Sequence, residues 1–263
     1  MRPALAVSAV DYHTGGEPFR IVSGGVKPLR GRRILDKRRY AAEHLDEVRR
    51  LLVFEPRGHA DMYGGFVTEP EDDGADLGVV FFHNAGYSTA CGHGTIALVT
   101  WALDSGLLPM EEPETAVTVD APSGRLPTVA RIEGGRVVSV RFRNVPSFVL
   151  AEGLVIETSR GPVTAGLSYG GAFYASVRAD EIGLSVHADD LHHLIAVGRE
   201  VKRAIESQRA VVHPLEPELG DVYGVIFFED VTGHGVAQRN VAIFADGEVD
   251  RSPCGSGTSA RLA

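Results

Sequence analysis

Two thiols in this chain stand in matching surroundings. Cys91-Gly92-His93-Gly94-Thr95 and Cys254-Gly255-Ser256-Gly257-Thr258 are each a cysteine followed by a Gly-x-Gly-Thr turn. After the first box come Ile96, Ala97, Leu98, Val99, Trp101, Ala102 and Leu103, with Gly106 as a stop, which predicts a buried helix. The second box runs on through Ser259-Ala260-Arg261-Leu262-Ala263. A helix N-terminus presents unpaired N–H groups and a partial positive charge. It attracts a carboxylate, and glycines let that carboxylate reach the backbone. The same field favours thiolate over thiol. With both helix starts aimed at one cavity, an amino acid's carboxylate would sit between them, one sulfur on each face of its Cα. The chemistry this suits is removal of a proton from one face and its return to the other.

The elements that must hold these boxes are legible in outline. Val7 to Val10 reads as a strand entering a loop from Asp11 to Pro18, and Phe19 to Val22 as the strand that follows. Asp36 is placed to cap a helix over 37–50, where Ala41, Leu45, Val48 and Leu52 recur at helical spacing. Leu77 to Phe82 is a buried strand feeding the first box. Short β segments follow at Val117 to Val119, Leu126 to Ile132 and Arg136 to Phe142. A helix is predicted over 189–207, with Leu191, Leu194, Ile195, Val201 and Ile205 on one face. Val222 to Phe228 and Val241 to Phe244 are strands, the second leading to Cys254. Asn144-Val145-Pro146 marks the expected boundary between a first domain, 1–145, and a second, 146–263. The coarse class is mixed α/β or α+β, each domain wrapping a sheet around one central helix.

Composition narrows the partners. A net charge of −9 argues against nucleic acid. No apolar run reaches membrane-spanning length. Two cysteines make no disulfide framework, so a reduced, cytoplasmic setting is expected. A lone cysteine is more often an inert core residue, but a core cysteine needs no flanking glycines, and the box occurs twice. Cys91-x-His93 with His83 nearby lacks a closed four-ligand set for zinc. For cysteine-hydrolase chemistry, His93 is expected to leave the helix start in another direction from the thiol. A pyridoxal enzyme needs a Schiff-base lysine, and Lys27, Lys37 and Lys202 all sit in unsuitable stretches. Chemistry without a cofactor is the expectation that remains. His13 and His59 read as scaffold residues, and Glu69 to Asp76 as a solvated loop.

These residues resemble the proline racemase family, which also holds hydroxyproline 2-epimerases and trans-3-hydroxyproline dehydratases. The matching pieces are Asp11-x-His13-Thr14-Gly15-Gly16-Glu17, Glu55-Pro56-Arg57-Gly58-His59-x-Asp61-Met62, the Cys91 box, Asn144-Val145-Pro146, Gly170-Gly171-x-Phe173 and Asp250-Arg251-Ser252-Pro253 with the Cys254 box. The fold this implies is α+β and diaminopimelate-epimerase-like, with two pseudo-symmetric domains and a site in the cleft between them. Diaminopimelate epimerase usually carries Asn after the first Cys-Gly, so His93 points to the proline branch.

The resemblance implies a cofactor-independent isomerase acting at Cα of a small imino acid, proline or hydroxyproline, and a homodimer is expected with it. Cys91 and Cys254 match the acid/base pair. His93 and Asp250 match residues that contact the substrate's amino or carboxylate end, and Gly92, Gly255 and Ser256 match those whose backbone holds the carboxylate. Tyr63 matches a position beside the substrate ring that is aromatic in proline-using members, although it also reads as plain core. Dehydratases commonly carry threonine at the second cysteine, so Cys254 favours racemisation or epimerisation. Two departures from the pattern are Ser88-Thr89-Ala90 ahead of Cys91, where Leu-Asn-Met is usual, and the end of the sequence at Ala263. The second implies a truncated second domain, with an inactive fragment or binding-only remnant as the reading opposed to an enzyme.

Overall fold

Each thiol box follows a strand and begins a helix. The computed structural model describes residues 6–231, 235 and 237–263. The chain divides into two compact units, Met1–Val145 and Pro146–Ala263.

The first unit runs β1 Ser8–Thr14, β2 Glu17–Gly24, α1 Ile34–His44, α2 Asp46–Val53, β3 Tyr63–Thr68, β4 Leu77–His83, α3 Gly92–Asp104, β5 Glu114–Ala121, β6 Gly124–Glu133 and β7 Arg136–Phe142. These strands form one sheet in chain order, antiparallel except for the parallel pairs β2–β3 and β4–β5. Helix α3 touches β1 and β7, the two edges, as well as β2, β3 and β6. A sheet that meets one helix with both edges must curl around it. The sequence explains why α3 is largely enclosed: Ala97, Leu98, Val99, Ala102 and Leu103 make most of its surface apolar, and all are buried. Full burial of each large aliphatic among them is worth about 1.5–3 kcal/mol.

Strand β4 is buried along its whole length. Its alternate side chains serve two faces. Val80 and Phe82 join the cluster made by Ile34, Ala41, Leu45, Val48 and Leu52 of the α1–α2 segment. Phe81 points the other way and meets Phe19 edge-on at 6.0 Å.

Two local expectations are corrected. The 37–50 helix is two helices, broken at Leu45 (φ −122°, ψ 8°). It starts earlier than expected, and Asp36 acts from inside its first turn, accepting the Arg33 N–H at 3.0 Å. The Asp11 to Pro18 stretch is no open loop but a tight hairpin, β1 running through Thr14 and β2 resuming at Glu17. Gly15 and Gly16 make the turn with φ of 63° and 97°, which glycine adopts without strain.

The second unit runs β8 Phe148–Thr158, β9 Gly161–Tyr169, β10 Phe173–Arg178, α4 Leu191–Gln208, β11 Val222–Asp230, β12 Gln238–Phe244, β13 Glu248–Val249 and α5 Gly255–Arg261. Its sheet has the order β13-β12-β11-β10-β9-β8, with β10–β11 parallel. Helix α4 lies on β8, β11 and β12. Its buried face is Leu194, Val197, Gly198, Val201 and Ile205, so Leu191 and Ile195 sit nearer the edge of that face than their spacing implied. Helix α5 rests on β9 and β10. Gly170 makes that approach close: a Cβ there would stand 2.3 Å from the Ser256 carbonyl oxygen and 2.4 Å from the Ala260 nitrogen. Both are backbone atoms and cannot turn aside. Gly170→Ala is therefore expected to lower stability by about 1–3 kcal/mol, read as a lower melting temperature.

Candidate active site

In the first unit the site begins where β4 hands the chain to α3. Cys91 is the N-cap of α3, in extended conformation, and its sulfur accepts the Gly94 N–H at 3.2 Å. Here the thiol does what a serine or aspartate oxygen does at other helix starts. Gly94 must be glycine, because a Cβ would stand 2.7 Å from that sulfur and 2.4 Å from the Phe19 ring. Thr95 finishes the turn by donating its hydroxyl to the Cys91 carbonyl at 2.8 Å.

His93 corrects the sequence reading. Its ring does not leave in another direction; Nε2 lies 3.4 Å and Nδ1 3.6 Å from the Cys91 sulfur. The ring is held in place by its neighbours, edge-on to Tyr63 at 5.0 Å and to Phe19 at 5.9 Å. Its backbone carbonyl accepts the Thr14 hydroxyl at 3.0 Å, which ties the β1–β2 hairpin to the helix start. Tyr63 is buried, and its hydroxyl shares a short hydrogen bond with Ser88 and reaches the Ala90 carbonyl at 3.4 Å. The Ser88-Thr89-Ala90 departure is thus in direct contact with Tyr63. Cys91, Gly92, His93 and Tyr63 are brought together with Ser88 of that departure, and Phe19 joins them without having been singled out as a site residue.

In the second unit the approach is made of short turns. Asp250 accepts the Ser252 N–H at 2.8 Å, and the Ser252 hydroxyl accepts the Cys254 N–H at 3.1 Å. They deliver Cys254 in a left-handed conformation, φ 54° and ψ 85°. Such backbone strain in a non-glycine residue is held by its surroundings and gathers at functional positions. Thr258 donates its hydroxyl to the Pro253 carbonyl at 2.8 Å, and Gly257 repeats the part of Gly94, a Cβ there standing 2.7 Å from the Cys254 sulfur. Ser256 is buried, with its hydroxyl 2.8 Å from that of Tyr174, and Gly255 opens α5 beside it. Tyr174, whose hydroxyl is also 3.7 Å from the Cys254 sulfur, was not anticipated. The signal available was its place directly after the Gly170-Gly171-x-Phe173 motif.

The setting of Cys254 resists charge. The expectation that a helix start favours thiolate at both fails at Cys254. Burial pushes its thiol well above the ordinary range, and the Asp250 carboxylate adds to this. The Tyr174 hydroxyl and the Gly257 N–H act in the opposite sense without prevailing. Desolvation wins because α5 offers only the short segment Gly255–Arg261 and Cys254 is buried.

Comparison with known proteins then places the chain. The proline racemase family model matches residues 9–263. The chain belongs to the proline racemase family. It is 47% identical over 264 residues to a trans-3-hydroxy-L-proline dehydratase of Burkholderia cenocepacia, covering all of this chain and 79% of that one. It is 46% identical over 264 residues to a 3-hydroxyproline 2-epimerase of Burkholderia multivorans, with the same coverage. Among solved structures it matches a hydroxyproline epimerase from Agrobacterium vitis holding trans-4-hydroxy-L-proline. There the TM-score is 0.93 at 32% identity, over 100% of this chain and 77% of that one. The α+β fold of this family, with its curled sheets and few helices, is the fold of this chain, and family and neighbours mark it as an isomerase-type enzyme.

Proposed function

We propose that this enzyme removes the Cα proton of a 3-hydroxyproline from one face and delivers another to the opposite face, using Cys91 and Cys254 as the acid/base pair and no cofactor. The observation that carries this reading is the repeated construction of the two boxes: in each, the residue three after the cysteine is a glycine whose Cβ would strike the sulfur. A cysteine kept for packing has no need of such a neighbour. The C3-hydroxylated substrate is favoured by relatives named for it at 46–47% identity.

The roles follow from the surroundings. Cys254, buried beside Asp250, starts as the thiol and donates. Cys91, with the Gly94 N–H and the His93 ring against its sulfur, starts as the base. The helix starts at Gly92 and Gly255 hold the substrate carboxylate and stabilise the charge that develops as the Cα–H bond breaks. His93, Asp250 and Ser256 fix its orientation, and Tyr63 borders the ring. The reverse reaction exchanges the two sulfurs' roles.

Dehydration is the second reading, favoured by the relatives named trans-3-hydroxy-L-proline dehydratase. Its first step is identical. The electron pair from the Cα–H bond then forms a C2–C3 double bond while the C3 hydroxyl leaves with a proton as water. The product enamine tautomerises to a cyclic ketimine.

One experiment separates these outcomes: L-proline, trans-4-hydroxy-L-proline and trans-3-hydroxy-L-proline incubated side by side in D2O. Inversion with one deuterium at Cα is expected for the 3-hydroxy substrate. Ketimine without inversion would mean a dehydratase, and the absence of both Cα exchange and ketimine with all three would defeat both readings. Chelator and hydroxylamine are expected to leave the rate unchanged; inhibition by either would overturn the cofactor-free assignment.

A further inference from the structure

An acid/base group has to be tolerable in both of its protonation states, and the surroundings of Cys254 support only one of them well. The sulfur is buried among Ala172, Tyr174, Ile226, Ala242 and Ala260, with the Asp250 carboxylate against it. As thiol it is content there. As thiolate it faces a like charge in a place with little water. Two donors are within reach, the Gly257 N–H from α5 and the Tyr174 hydroxyl from β10. Tyr223 of β11 meets the Tyr174 ring edge-on at 5.7 Å.

The Tyr174 hydroxyl lies between two oxygen and sulfur partners, 2.8 Å from Ser256 Oγ and 3.7 Å from Cys254 Sγ. We propose that Tyr174 is the positioning residue for the Cys254 proton, its hydroxyl donating to Ser256 while Cys254 is a thiol and turning to donate to the sulfur once Cys254 is a thiolate. In the second state Ser256 reverses and donates its own hydroxyl to Tyr174. No proton leaves either residue; two hydroxyls rotate, and the thiolate gains a charge-assisted hydrogen bond. Tyr174 then acts through Cys254 and needs no contact with substrate. In this pairing it answers His93, the ring that lies against Cys91 in the first unit.

The inference rests on the proposed acid/base role of Cys254 for its meaning, but its test does not. The chain has two cysteines, so Cys91→Ser leaves Cys254 as the one thiol. Its rate of alkylation by iodoacetamide, followed by mass spectrometry from pH 7 to 10 without substrate, reports the thiolate fraction. Adding Tyr174→Phe is expected to slow alkylation about tenfold at each pH, equivalent to an upward shift of about one pH unit. A purely structural role predicts the opposite sign, because loosening a buried site exposes the thiol and speeds its reaction. A rate equal to or above that of the Cys91→Ser chain overturns the proposal. If Tyr174→Phe does not melt cooperatively, replacing tyrosine throughout by 3-fluorotyrosine keeps the packing and makes each phenol a stronger donor. Faster alkylation is then expected, and an unchanged rate overturns the proposal. Failure here leaves the proposed reaction standing, whereas absence of Cα exchange in the intact enzyme defeats that reaction and leaves the thiol measurement valid.

Discussion

Cys254→Ser is expected to lose epimerisation by about a thousandfold or more while still removing the Cα proton of trans-3-hydroxy-L-proline. A positioned acid or base contributes about 100- to 10,000-fold, and serine cannot deliver a proton as a thiol does. In the proposed mechanism the first half of the reaction belongs to Cys91. Its sulfur sits at the start of α3 with the Gly94 N–H at 3.2 Å and His93 Nε2 at 3.4 Å, and nothing in that set involves Cys254. Once the proton is off, an intermediate that cannot be reprotonated from the far face has two exits. It takes deuterium back from Cys91 with retention, or it expels the C3 hydroxyl. Retained exchange or ketimine formation in Cys254→Ser, measured by NMR in D2O, is therefore the expected pattern. Cys91→Ser is expected to lose inversion and, for the same L substrate, exchange as well. Epimerisation at full rate in Cys254→Ser would remove the two-thiol assignment.

Gly94→Ala is expected to lower both activity and stability. The added methyl would stand 2.7 Å from the Cys91 sulfur and 2.4 Å from the Phe19 ring. Phe19 is fully buried and is itself packed against Tyr63 and Phe81, so it has nowhere to retreat. Overpacking of this kind costs about 1–3 kcal/mol. The sulfur is displaced from a geometry that must hold to well under an ångström, and a misplacement of that order can cost about 100-fold in rate. Gly257→Ala separates the two effects. Its methyl meets the Cys254 sulfur at 2.7 Å, but its next neighbour is the Ile226 side-chain tip at 3.2 Å, which can yield. It is expected to lose inversion to a similar degree with a smaller fall in melting temperature. Gly94→Ala with unchanged rate and melting temperature would show that the glycine serves neither purpose.

Both predictions bear on an asymmetry between two outwardly equal boxes. Each box has its cysteine at the helix start, a glycine under the sulfur and a threonine closing the turn. The surroundings differ in kind. An imidazole ring faces one sulfur, and a phenol and a carboxylate face the other. For a reaction that needs one thiolate and one thiol at the same time, unequal settings select a starting arrangement. Matched settings would leave it to chance.

The local chemistry was legible in the order of residues because it is made by neighbours in the chain. Cys-Gly-x-Gly-Thr closes on itself within one helical turn: Thr95 reaches Cys91, and Gly94 its sulfur. The apolar run Ile96 to Leu103, interrupted at Thr100, called for a largely buried helix, and the short β segments for a sheet around it. What neighbours in the chain do not make was not legible. The direction of the His93 ring is set by Phe19 and Tyr63, which arrive from β2 and β3. The bond from Tyr63 to Ser88 joins β3 to the approach of the box, and Tyr174 meets Cys254 across 80 residues of chain. Burial itself belongs to the fold. The helix start at Cys254 promised a thiolate, and the walls around that sulfur hold a thiol, because the cost of charge in a dry cavity exceeds what one short helix supplies.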